Sequence, residues 1–294
     1  DGGAFQTQSA PFTISNVFAG THTIEIQDAN GCSDLVTIDV AEPIDVVADV
    51  TAMPSCNNDD GEITITGFGG SGTYAYSISP SPASVSLSGN TFTGVPSGIY
   101  TITITDTVLS CTSETTISVS EPISPQFTLT SDSVTCFGDN TGAFDINITN
   151  FTGAYTYEVF DSVGTSVTGI INANTATNPL TVTGMEAGSF NVVITQTDFP
   201  YCSNSAGVVI TSPQEALTLN LIESSNVTCT DSEGTITAIA DGGWSNYEYE
   251  LTGDATVAFS SNSVFENLSA GTYTVNVRDA EGCIASESIT LSLP

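Results

Sequence analysis

Basic residues are almost missing from this sequence. Its 294 residues hold one lysine or arginine, Arg278, and one histidine, His22, against 33 acidic residues, a formal net charge of −32. Phosphate backbones and anionic headgroups are gripped by Lys and Arg, so nucleic acid and anionic membranes are poor partners, and neither nucleic-acid binding nor membrane insertion is expected. With one imidazole and no lysine, the many Ser and Thr hydroxyls have no ordinary base to activate them. A carboxylate pair of the glycosidase or acid-protease kind must stand apart from its surroundings. Here the acids recur in equivalent turns, so the chain reads as no enzyme. No Cys-x-x-Cys pair marks a zinc site. No apolar run is long enough to cross a membrane, and secretory and lipidation signals are missing. No segment holds the 3.6-residue helical period over two turns. The first residues already lie inside a repeat, so a piece of a longer chain is expected.

What is present is a repeat. Ala270-Gly271-Thr272-Tyr273-Thr274-Val275-Asn276-Val277-Arg278-Asp279-Ala280-Glu281-Gly282-Cys283 is a small turn, an alternating strand, a closing Asp and a Cys. The same pattern runs from Ala19 to Cys32, from Ser97 to Cys111 and, more loosely, from Ala187 to Cys202. Such self-similarity has to be read before any single residue. Pro43, Pro122, Pro213 and Pro294 each end a strand-like run. They predict a truncated unit at 1–43 and complete units at 44–122, 123–213 and 214–294, about 80 to 90 residues each, a usual size for a small β-sandwich.

Each complete unit opens with an extended run, then a Cys and a polar turn ending in Gly, as in Cys56-Asn57-Asn58-Asp59-Asp60-Gly61. An alternating strand follows (Glu62 to Thr66, Phe144 to Ile148, Thr235 to Ile239), then a Gly-rich turn and a Tyr-x-Tyr strand. Period two with β-branched residues marks half-buried strands. The fold class is therefore all-β: tandem antiparallel β-sandwiches of Ig-like, fibronectin-like or PKD-like kind. Hydrophobic residues at 39% are ample for packed cores, so the acidity does not signal disorder. The third unit departs most. Its stretch from Val159 to Pro179 is longer, and Gln196 stands where the other units have Asp.

Seven cysteines at matching places suggest disulfides and an oxidising, extracellular setting. Pairing within repeats is expected: Cys56–Cys111, Cys136–Cys202 and Cys229–Cys283, with Cys32 bonded to an upstream partner. Each closes a loop of roughly 55 residues or more, worth about 4 kcal/mol on the chain-entropy model. A rival pairing joins neighbours, Cys32–Cys56 and Cys111–Cys136. Within-repeat pairing fails if the variable stretch forms a full extra strand, because the two turns then lie at opposite ends.

Asp28, Asp106 and Asp279 end the same strand in three units. Capping of the following turn is the favoured role. The sharper alternative is Ca²⁺, with help from Glu42, Glu121, Asp59, Asp60, Asp139 or Asp231, since hard cations want several oxygens. His22 takes the place of Tyr100, Phe190 and Tyr273, as a ring at the sandwich corner rather than a catalytic group. Trp244, in the last Gly-rich turn, is expected to pack against a neighbouring unit; the alternative is stacking on a sugar.

The set Cys … Asp/Glu-Gly-x-Ile … Gly-Gly … Tyr-x-Tyr … Ala-Gly-Thr-Tyr-Thr-Val … Asp-x-x-Gly-Cys … Pro resembles the SprB-type repeat of very long surface adhesins in gliding and other Bacteroidetes. The fourth unit carries it most fully, through Cys229, Glu233-Gly234, Tyr247, Tyr249, Gly271-Thr272-Tyr273, Asp279 and Gly282-Cys283. The resemblance implies type IX secretion, display at the cell surface and a stalk or filament in gliding adhesion. The implied partners are neighbouring repeats, with surface glycans or other cell-surface proteins beyond them. A glycan-binding module, with ligand loops around Trp244 or the third-repeat insertion, is the alternative.

Overall fold

The structure, a computed structural model, describes residues 3, 6–7, 10–225, 227 and 233–293. Every described element is a strand, and every pairing between them is antiparallel. Two compact units result: Asp1–Ile123 with Phe199–Cys202, and Ser124–Asp198 with Ser203–Pro294.

The first unit begins with a hairpin, β1 (Gly20–Gln27) on β2 (Ser33–Val40). A sandwich follows. One sheet runs β3 (Asp45–Ala52), β4 (Gly61–Phe68), β7 (Thr91–Val95) and β6 (Ser86–Ser88). The other runs β5 (Tyr74–Ser79), β8 (Gly98–Asp106) and β9 (Thr112–Val119). Four strands against three, in this connectivity, is the constant-type Ig arrangement.

The second unit holds two sandwiches. In the first, β10 (Phe127–Asp132), β11 (Gly142–Ile148) and β14 (Leu180–Met185) face β13 (Ile171–Asn174), β12 (Ala154–Phe160), β15 (Gly188–Gln196) and β16 (Ser203–Ile210). In the second, β17 (Thr218–Ser225), β18 (Gly234–Asp241) and β21 (Val264–Leu268) face β20 (Val257–Ser260), β19 (Glu248–Gly253), β22 (Gly271–Arg278) and β23 (Ile284–Leu291). Three strands against four is the fibronectin-type arrangement, so the expected tandem Ig-like and fibronectin-like sandwiches are what the chain forms.

The alternation read from sequence builds the cores. On β8, Tyr100, Ile102 and Ile104 point inward, while the residues between them are partly exposed. On β22 the inward set is Tyr273, Val275 and Val277. Facing strands supply Ile63 and Ile65, and Ile236 and Ala238, all buried. Each fully buried Ile or Val contributes about 1.5 to 3 kcal/mol by leaving water.

The rings at the start of these strands fix a corner. The Tyr100 hydroxyl donates to the Pro96 carbonyl (3.0 Å) and the Tyr273 hydroxyl to that of Ser269 (2.9 Å), four residues upstream in each case. His22 makes the same reach: its Nε2 lies 2.7 Å from the Phe18 carbonyl. This is the tyrosine corner of Ig-like sandwiches, with an imidazole in place of the phenol in the first repeat.

A second pair of tyrosines closes the Gly-rich turn. The Tyr74 hydroxyl donates to the Gly69 carbonyl (2.5 Å) and that of Tyr247 to Gly242 (2.6 Å). In the third repeat the equivalent Tyr155 is fully buried, and its hydroxyl has no partner. Removing a bonded hydroxyl loses about 1 kcal/mol, whereas removing a buried unpaired one relieves desolvation. Thermal unfolding should therefore show Tyr74→Phe destabilised by about 1 kcal/mol and Tyr155→Phe unchanged or more stable. Equal losses in both would contradict this reading.

Candidate functional site

The same alternation that fills the cores carries a carboxylate inward. Asp106 continues the Tyr100, Ile102, Ile104 row and is buried at its end; Asp279 continues Tyr273, Val275 and Val277. Asp106 accepts the Ser71 N–H (2.5 Å), the Ser71 hydroxyl (2.7 Å) and the N–H groups of Val108 (2.9 Å) and Leu109 (2.8 Å). Asp279 accepts N–H groups from Trp244 (2.9 Å), Glu281 (3.1 Å) and Cys283 (2.9 Å). Asp28 accepts those of Asn30 and Cys32, at 2.9 Å each. In both complete cases one carboxylate ties the Gly-rich turn to the turn that leads to the Cys.

The Gly pair exists for this contact. Gly70 and Gly243 sit at φ +60, and a Cβ on either would run into the Asp carboxylate. Their neighbours Gly69 and Gly242, also at positive φ, press against the incoming backbone at Pro43 and Ala216. The Gly70 N–H donates to Glu42 (2.8 Å) and the Gly243 N–H to Glu215 (3.0 Å). Incoming linker, Gly turn and Cys turn therefore meet at one end of the sandwich around one buried anion.

The Ser71 N–H does most to hold the Asp106 carboxyl down at about 2; burial pulls the other way, and the Leu109 N–H, the Ser71 hydroxyl and the Val108 N–H add to the lowering. The carboxyls of Asp28 and Asp60 are lowered as well, that of Asp28 chiefly by the Cys32 N–H and that of Asp60 chiefly by the Ser55 hydroxyl. These contacts are those of turn caps, the favoured role of Asp28, Asp106 and Asp279. Among the described residues no group of three or more His, Cys, Asp or Glu could hold a metal ion. Asp231 and Cys229 lie outside the described residues.

The third repeat lacks this device. Gln196 takes the buried place of the Asp, and its Oε1 has no hydrogen-bond partner. It pairs across the sheet with Tyr155, whose hydroxyl is equally unpartnered.

The cysteines do not pair as the sequence suggests. The disulfides are Cys56–Cys202, with Cα atoms 4.9 Å apart, and Cys136–Cys283, 5.7 Å apart. Cys32 and Cys111 are free and exposed. The expected pairs Cys56–Cys111, Cys136–Cys202 and Cys229–Cys283 are thus excluded, as is the rival of Cys32–Cys56 with Cys111–Cys136. The reason is strand parity. The variable stretch folds as a strand in every complete repeat, namely β6, β13 and β20, so an odd number of passes separates the two cysteines of one sandwich. Cys56 and Cys111, like Cys136 and Cys202, end at opposite poles.

The second unit shows what surrounds such a bond. At the exit of its first sandwich the Val134 N–H donates to Thr211 (3.0 Å), and the hydroxyls of Ser133 and Thr211 are 2.7 Å apart. Cys136 follows two residues later. The half-buried Trp244 donates its indole N–H to the Thr135 carbonyl (2.8 Å), and the Ala280 N–H meets Ser245 (3.1 Å). Trp244 is thus bound into the junction beside the disulfide. In the first unit the Cys56 N–H donates to Pro200 (2.9 Å), beside Cys202.

The SprB repeat family matches residues 48–83, 128–163 and 221–256, the first strand through the Tyr-x-Tyr strand of each complete repeat. No curated protein sequence matches the chain. Similar solved structures include a tetra-tandem repeat in the extending region of a large adhesion protein, at 17% identity, covering 95% of this chain and 83% of that one, with a TM-score of 0.30. They also include the fibronectin(III)-like modules of Clostridium thermocellum CbhA, at 13% identity, 56% and 95% coverage and a TM-score of 0.28. The N-terminal four Ig domains of a Dscam1 isoform match at 12% identity, 99% and 84% coverage and a TM-score of 0.24.

Folding lowers the pKa of Asp106 from 3.8 to about 2, so its stabilising effect is complete well above pH 3.8 and is lost as the pH falls towards 2. Asp106→Asn should therefore melt below the wild type at pH 7, with the gap closing as the pH approaches 2. A gap that stays constant over that range would show that the carboxylate charge is not what the turn uses.

Proposed function

We propose that this chain of SprB repeats is a non-catalytic spacer segment of a large extracellular adhesin, with repeat boundaries at Pro43, Pro122 and Pro213. One observation carries the reading. Cysteines at equivalent places are joined with an offset of one repeat, at sequence separations of 146 and 147. Covalent ties from repeat to repeat suit a segment that supplies reach and resists load. Disulfides persist in oxidising settings outside the cytosol. A surface of net charge −32 keeps neighbouring chains apart. Among the described residues no helix is long and apolar enough to cross a membrane.

The finer parts of the proposal follow the repeat family: export by the type IX system, display at the cell surface, and a part in attachment and gliding. The immediate partners are the neighbouring repeats, and ligand recognition, whether of glycans or of cell-surface proteins, belongs elsewhere on the adhesin. Cys111 and Cys32 occupy the place of Cys202 and Cys283. By the same offset each takes the first-turn cysteine of the repeat before its own. Two thiols there give two electrons and two protons to a disulfide oxidant, which leaves as two thiols.

Exchanging residues 44–294 in the parent adhesin for unrelated β-sandwich repeats of equal length tests the role. Surface attachment should survive the exchange and fail when the segment is simply deleted. Attachment lost on exchange, or glycan-array binding by this chain that Trp244→Ala abolishes, would make it a ligand-binding module instead.

A further inference from the structure

We propose that the Cys136–Cys283 disulfide is a mechanical shunt: tension along the second unit runs through β10 and β23 and bypasses everything between the two cysteines. The biological use of such a shunt rests on the spacer reading; the geometry does not.

Topology places the bond on the line of force. The chain enters the first sandwich of the unit at Phe127, and β10 carries it across to the exit, where Ser133 and Val134 meet Thr211. Cys136 lies there. In the second sandwich Cys283 lies at the entry. The Asp279 that accepts its N–H also accepts that of Trp244, next to Gly243, which is bonded to Glu215 on the incoming linker. From Cys283, β23 runs to Leu291, opposite Gly271 at the far end. Each of the two strands thus crosses its sandwich once, from entry to exit, and the disulfide joins them in series.

The consequence is a segment that cannot lengthen by unfolding. Strand residues already rise about 3.3 Å each, against a ceiling of about 3.6 Å, so some 20 loaded residues gain on the order of 10 Å. Peeling β10 from β11, or β23 from β22, leaves the covalent line as short as before. The loop of sequence separation 147 hangs beside that line and carries no load. Without the bond, the backbone of both sandwiches can pay out, on the order of 500 Å. Resistance to extension is thereby separated from the modest stability of each sandwich.

The arrangement recurs. β3 leads into Cys56 as β10 leads into Cys136, and Cys202 leads into β16 as Cys283 leads into β23. The two separations, 146 and 147, differ by one residue although the repeats between them differ in their loops. Both bonds thus stand just past the first strand of one sandwich and just before the last strand of the next.

Force–extension measurements on the full oxidised chain, with bio-orthogonal handles at the exposed Gln126 and Ser292, test the shunt. The oxidised chain should show no step longer than about 10 Å. Cys136→Ser should release steps totalling on the order of 500 Å. Adding a phosphine reductant to tethered wild-type molecules should release a similar length, which keeps the test valid if the variant folds poorly. Steps of hundreds of ångströms in the oxidised chain, or no added length on reduction, would overturn the proposal. Failure of the spacer reading would appear instead in the exchange experiment on the parent adhesin, with these traces unchanged.

Discussion

Two turns of a sandwich lie at the same pole when an even number of strands separates them, and at opposite poles when the number is odd. In each complete repeat the count between the two cysteines is odd, because the variable stretch supplies one more pass. No bond of about 2 Å can span the length of a sandwich. The thiols are left to find partners beyond their own repeat, and the first-turn cysteine of one repeat meets the last-turn cysteine of the next. Covalent continuity between repeats, and the route that tension takes through them, follow from that single parity.

The buried carboxylate is the second constraint, and it makes the cysteine turn a defined object. Asp106 and Asp279 reach their positions because period two on a core strand allows no other facing. Once inside they have to be met by donors, and the Gly pair brings backbone N–H groups close enough to meet them. The same Gly pair binds the incoming linker. A change at any of these three places disturbs the others, so linker, turn and cysteine behave as one unit. The third repeat shows the cost of leaving the pattern: Gln196 and Tyr155 each bury a polar atom without a partner.

Much of this was legible in the residues. Alternation around Tyr100 and Tyr273 and the Gly turns gave the sandwiches and their strands, apart from the one in the variable stretch. The place of His22 in the Tyr row was enough to expect a corner ring, and its reach to Phe18 bears that out. Turn capping by Asp106 was legible for the same reason, since an Asp that ends an alternating strand faces the next turn. The disulfide partners were not. Their choice depends on whether Ser86–Ser88, Ile171–Asn174 and Val257–Ser260 are strands, and these are short, polar and unlike one another. The place of Trp244 in a Gly-rich turn is enough to expect packing, but its bond to Thr135 involves a backbone carbonyl, which leaves no mark in a sequence.

Non-reducing peptide mapping by mass spectrometry, on chain recovered from an oxidising compartment, tests the central claim most directly. It should return Cys56 linked to Cys202 and Cys136 linked to Cys283. Recovery of Cys56 linked to Cys111, or of Cys136 linked to Cys202, would contradict the parity account and with it the covalent connection between repeats.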